Sequence, residues 1–187
     1  MQAEVETRKH RLSVTDFQRM AEVGILGEGD RLELIEGEII HMAPIGSRHA
    51  AVVDQLAQLL HKAVGDAAIL RVQGPLQLGE HSQPQPDLAL LRYRRDFYAQ
   101  AHPGPEDTLL LIEVADYSLA YDRQIKIPLY ARHLIPEAWL INLQQDRLEI
   151  YQSPSSEGYE RILRPSSPGT APLPELATEL DLGWLFG

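Results

Sequence analysis

The chain has 187 residues, no cysteine and a formal net charge of −10. That length suits one domain able to bury a core without disulfides or a structural metal, and the missing cysteines exclude disulfides and thiolate metal sites. The acidic balance counts against a protein that coats nucleic acid through clustered Lys and Arg, but not against a nuclease, whose catalytic carboxylates add negative charge of their own.

No segment approaches the apolar length of a membrane span, and the opening stretch MQAEVETRKHRLSV is mixed-charge without the apolar core of a signal peptide. The expectation is a soluble, cytoplasmic protein. In chain order, Thr15 reads as a helix cap with Gln18 at the third helical position, and Phe17, Met20, Ala21 and Ile25 recur at helical spacing, ending near Gly27 or Gly29. RLELIEGEIIHMA follows. Leu32, Leu34 and Ile39 share one face and Glu33 the other, and Glu36-Gly37 reads as a two-residue hairpin turn that sets Glu33 opposite Ile40 and Ile35 opposite Glu38.

Residues 47–64 carry Val52, Val53, Leu56, Leu59, Leu60 and Ala63 along one stripe, an amphipathic helix with Ser47 as its cap. His49 falls in its first turn, where a solvated or capping role is the expected one. Residues 68–78 read as a strand broken at Gly74-Pro75, and the polar loop 92–107 holds Arg92, Arg94 and Arg95, read as solvated ahead of phosphate-binding.

Two short apolar runs carry the chemistry. Leu88 to Leu91 follows Asp87, and Leu109 to Ile112 precedes Glu113, so both read as strands covered on both faces. Either acid alone reads as a strand-end residue reaching water or an arginine such as Arg71 or Arg92. As a pair they predict convergence, because buried carboxylates need partners and two of them on adjacent strands suit one hard divalent ion.

Asp122 then reads as the cap of a helix to about residue 134, with Arg123, Lys126, Tyr130 and His133 along one face and Pro128 kinking it or marking its effective start. A lone helix lysine is ordinarily exposed; beside two buried acids, Lys126 completes a set that cleaves phosphodiesters. Residues 138–141 and 147–151 add two more strands, residues 159–163 an edge strand, and the Pro- and Ser-rich tail from 165 closes with a docked apolar turn over 180–186. The plan is one α/β domain over 1–187 with a mixed central sheet flanked by helices, its core at about 15–151 and a tail at 165–187.

The segments RLELIEGEI, QPDLALL and IEVADYSLAYDRQIKIPLYARHLIPEAWLINL resemble the Uma family within the PD-(D/E)XK nuclease superfamily. The resemblance implies a restriction-endonuclease-like fold, acidic metal-site positions at Glu33, Asp87 and Glu113, and a catalytic lysine at Lys126. It further implies Mg²⁺ or Mn²⁺ as cofactor, DNA as substrate and a homodimer. In the wider superfamily the lysine stands two residues after the second acid, a position that here is Ala115, and Lys126 on the following helix takes its place. The rival readings are a non-catalytic nuclease-fold protein with a regulatory or oligomerising role and a glycosidase-type acid pair at Asp87 and Glu113, which leaves Lys126 without a part.

Overall fold

The two acid-bearing runs become adjacent strands, β4 (Leu88–Arg92) and β5 (Thr108–Ala115). They lie second and third in a six-stranded sheet with β3 (Ala68–Val72), β6 (Glu137–Asn142), β7 (Arg147–Ser155) and β8 (Gly158–Leu163), ordered β3-β4-β5-β6-β7-β8. Only β5 and β6 run parallel; every other neighbouring pair is antiparallel. The computed structural model describes residues 9–27, 29–166 and 169–185. The start of the stretch read as lacking a signal-peptide core, and Phe186 of the expected terminal turn, lie outside them.

From β4 to β6 the sheet is buried on both faces, and the period of two along β5 sorts its side chains. Leu110, Ile112 and Val114 join the core beneath α2 (Ser47–Val64), together with Val53, Leu56 and Leu60. Leu111 and Ala115 join a second core with Ile127, Leu129 and Tyr130 of α4 (Ile127–Arg132). By the same alternation Glu113 faces α4, which belongs to the helical stretch that follows β5 in the chain.

The hairpin forms in the expected register: β1 (Leu32–Ile35) pairs with β2 (Glu38–His41), Glu33 opposite Ile40 and Ile35 opposite Glu38. Glu36 and Gly37 both have positive φ, 49° and 84°, as this two-residue turn demands. A Cβ on Gly37 would stand 2.6 Å from Arg11 Cβ, so close packing and backbone conformation both select glycine. The hairpin docks edge-on to the segment leading into β4 through reciprocal bonds between Leu34 and Gln83.

Helix boundaries depart from the sequence reading. Helix α1 (Val14–Glu22) is capped by Ser13, not Thr15: Ser13 Oγ accepts from Asp16 N and Ser13 N donates to Asp16 Oδ2, a complete capping box two residues earlier than the sequence reading placed it. It stops before Gly27, because Gly24 takes φ 76° and turns the chain away; Val14 and Phe17 are its buried residues, and Ile25 stays 66% exposed. Ser47 is the first residue of α2 rather than its cap, a place held by Gly46. Strand β3 ends at Val72, ahead of Gly74-Pro75, where Gln73 adopts φ 47° and its N–H bonds Asp87 O.

The helical stretch after β5 is composite: α3 (Leu119–Tyr121), a π turn over Asp122–Lys126, then α4. Proline supplies the reason. Pro128 has no N–H for the carbonyl of Gln124, and the ladder widens just ahead of it, with Ile127 N–H reaching Asp122 O. Asp122 is therefore not a cap; it lies inside the helical run and is buried along with Lys126.

The tail does dock, but as a strand pair, β9 (Thr170–Pro172) with β10 (Glu179–Asp181), followed by a turn. Leu180, Leu182 and Leu185 close the core under α2. Among the described residues no helix is long and apolar enough to cross a membrane.

Candidate active site

The register of β4 and β5 brings the two acids together. Leu88 pairs with Ile112 and Ala89 with Leu111, so one step further Asp87 comes opposite Glu113, at the separation of cross-strand neighbours. The Asp87 carboxylate confirms the proximity: its Oδ2 accepts from Val114 N at 2.9 Å. Neither acid is met by an arginine. Arg92 makes a bidentate pair with Glu175, and Arg71 reaches the carbonyls of Pro75 and Phe97. Arg94 pairs with Asp96, so Arg92, which ends β4 instead of lying in the loop, and Arg94 both have acidic partners at the surface.

Lys126 reaches the same place from the π turn. Its ammonium stands 2.7 Å from Glu113 Oε1 and 3.6 Å from Glu33 Oε2, and it donates to Gln85 O at 3.4 Å. Only 3% exposed, it is not the solvent-facing lysine that its sequence context alone suggests. The wider π turn carries both Asp122 and Lys126 on its inward side. Glu33 is held by Tyr121, whose hydroxyl donates to Oε1, and by Gln85 N, which donates to Oε2. All four sequence-predicted residues, Glu33, Asp87, Glu113 and Lys126, therefore line one cleft of about 210 Å³.

Three participants were not assigned from the sequence. Tyr130, fully buried, donates its hydroxyl to Glu113 Oε1. Asp122 is buried in the cleft wall and accepts from Ser118 Oγ at 2.6 Å. His49, expected to be solvated or capping, places Nε2 3.0 Å from Asp87 Oδ2 with its side chain 13% exposed. The signal for His49 was present: with Val52, Val53 and Leu56 it falls at i, i+3, i+4 and i+7, on the buried stripe of α2. Lys126 and Tyr130, four apart, likewise share a helical face.

Burial sets the electrostatics. It pushes the Glu113 carboxyl up to about 8, with Asp122 and Asp87 adding to the rise and Lys126 opposing it. Burial raises Asp122 as well. For Asp87 burial pulls upward, but the hydrogen bond and charge of His49 and the Val114 N–H outweigh it and hold the carboxyl below its usual range. The Asp87 hydrogen bond in turn raises His49. Lys126 is kept well above an ordinary lysine against the pull of burial, chiefly by Glu113.

Among the described residues no three histidine or acidic side chains converge in metal-holding geometry; the acids are arranged around the ammonium of Lys126. Their chemistry nevertheless fits a hard divalent cation. Glu33, Asp87, Glu113 and Asp122 are all buried around the cleft, with the one ammonium of Lys126 buried among them, and together they form an oxygen donor set.

A mixed sheet that joins an acid from each of two adjacent strands to a lysine from the following helical run defines a restriction-endonuclease-like α/β protein. The chain belongs to the Uma2 family, described as "Putative restriction endonuclease", whose match covers residues 14–183 and so takes in the docked tail as well as the sheet. No curated protein matches the sequence. Among solved structures the chain is similar to a protein from Anabaena variabilis ATCC 29413 titled a putative nuclease belonging to DUF820. Their identity is 18% with a TM-score of 0.70, covering 94% of this chain and 97% of the other. At that identity the likeness speaks for the fold.

Proposed function

We propose that this protein is a metal-dependent endonuclease that hydrolyses DNA phosphodiester bonds, with Asp87, Glu113 and Glu33 holding Mg²⁺ or Mn²⁺ and Lys126 serving the phosphate. The observation that carries the reading is the ammonium of Lys126, buried beside Glu113 although it comes from a different element. Structural stability alone does not call for a lysine there, since a buried ion pair is often no more stable than an apolar pair of the same volume. Membership of a restriction-endonuclease family supports the same reading.

When bound, the divalent ion supplies polarisation of the phosphate and an attacking water of lowered pKa. The protein's own groups do the rest. Lys126 donates to phosphate oxygens as negative charge builds on them, inside a cleft whose low dielectric strengthens that interaction. Tyr130 and Tyr121 fix the carboxylates of Glu113 and Glu33 by hydroxyl donation, and the walls from α2, the hairpin and the π turn limit access of bulk water. A two-fold dimer, expected in solution at twice the 21.0 kDa chain mass, would present two such clefts to the two strands of a duplex.

One observation favours the rival, non-catalytic reading: Lys126 already neutralises Glu113 at 2.7 Å without any metal. Plasmid nicking decides between them. Cleavage that requires Mg²⁺ or Mn²⁺ and is lost in both Asp87→Asn and Lys126→Met supports the nuclease; no cleavage by the wild-type protein in either ion supports the rival.

A further inference from the structure

The acids and the lysine leave His49, a half-buried titratable side chain of the cleft wall, without a part. His49 reaches Asp87 from α2, on the far side of the sheet from Lys126, and its position rests on one polar contact. Asp87 Oδ2 is 3.0 Å from Nε2, while Nδ1 is buried with no hydrogen-bond partner. An ionised carboxylate can only accept, so Nε2 carries the proton and donates it. The same Oδ2 accepts from Val114 N at 2.9 Å, whereas Oδ1 receives only the long 3.3 Å contact from Gln73 Nε2.

We infer that His49 is a positioning residue for Asp87: through Nε2–H, together with the Val114 N–H, it locks Oδ2 and leaves Oδ1 as the oxygen presented to a divalent cation. The inference rests on the metal reading of the cleft and assigns its orienting partner. Side chains that hydrogen-bond a ligating group from behind commonly control metal affinity as strongly as the ligands' own orientation does. An unpaired Nδ1 fits this role, since nothing on that side of the ring competes with Asp87 for its orientation.

Two amide replacements separate the ring nitrogens. In His49→Gln the side-chain nitrogen can stand near the place of Nε2, and in His49→Asn near that of Nδ1. Mn²⁺ affinity is read by titration calorimetry, with the metal-free melting temperature measured alongside to establish that each variant is folded. The expected result is wild-type affinity to within about threefold for His49→Gln and a loss of about 10- to 100-fold for His49→Asn and His49→Ala. Wild-type affinity in His49→Asn, which would make Nδ1 the functional atom, overturns the inference, as does a His49→Gln as weak as His49→Ala.

A second readout needs neither metal nor DNA. In ¹⁵N-labelled metal-free protein the imidazole should show protonated Nε2, and that signal should move in Asp87→Asn; protonation at Nδ1 overturns the assignment. Wild-type protein that binds no Mn²⁺ at all overturns the nuclease reading and this inference together. Binding by the wild type with His49→Asn unaffected overturns this inference alone.

Discussion

The ammonium of Lys126 and the Tyr130 hydroxyl converge on one oxygen, Glu113 Oε1, at the base of the cleft. Removing the lysine strands Glu113 and Glu33 in the interior, both 3% or less exposed. Lys126→Met is therefore expected to cost about 3–5 kcal/mol, the range for breaking a buried pair from one side, measured as the shift in urea unfolding free energy. A loss under about 1 kcal/mol would show that the pair is relaxed or hydrated. Assayed where it remains folded, Lys126→Met should not cleave DNA, and Lys126→Arg should restore little, because a planar fork cannot replace a compact ammonium in that space.

Tyr130 tests whether Glu113 must be held as well as present. Its hydroxyl donates to Oε1 from a ring with no exposure. Tyr130→Phe keeps the packing and removes one charge-assisted hydrogen bond, so unfolding free energy should fall by about 1.5–3 kcal/mol. DNA cleavage should drop by about 10- to 100-fold, the scale typical for partners of a metal ligand. Full activity in the phenylalanine variant would leave Tyr130 a purely structural residue.

Metal binding should appear as added stability. A ligand at 100 times its Kd adds about 2.7 kcal/mol to the folded state, which for a chain of this size raises the melting temperature by about 5–10 °C. Scanning calorimetry with and without Mn²⁺ is expected to show that rise in the wild type and none in Asp87→Asn. An equal rise in both proteins would place the ion elsewhere.

The sheet and hairpin were legible because their signals are local. Apolar runs of four or five residues bounded by turn residues become β4 to β6, and Glu36-Gly37 fixes both the turn and the register of β1 with β2. Asp87 and Glu113 were readable because a carboxylate in such a run demands a partner. What escaped depends on long-range packing. His49 meets Asp87 across 38 positions of sequence, and no local rule assigns that contact. Asp122 resembles a cap by residue type, yet the widened turn before Pro128 turns it inward. The cap at Ser13 was missed in favour of Thr15 because both can start a helix, and only the reciprocal bond to Asp16 separates them.

A buried acid outside the cleft, Glu149, should govern acid stability. Glu149 on β7 has a side chain only 3% exposed and accepts from Tyr151, Arg123 and Arg164. Burial pushes its carboxyl up, but the hydrogen bonds from Tyr151 and Arg123, with the charges of Arg123 and Arg164, outweigh it and hold the pKa below 4.5. A depressed carboxyl contributes stability that is fully present above its unfolded value, near 4.5, and is lost as pH falls through the lower folded value. Glu149→Gln removes that contribution. It should be less stable than the wild type by about 1.5–3 kcal/mol at pH 7, with the gap closing below pH 4.5 as the wild-type carboxyl takes up its proton. Urea unfolding of both proteins from pH 7 to pH 3 reads the difference directly. Two curves that stay parallel across that range would show that Glu149 does not set the acid limb.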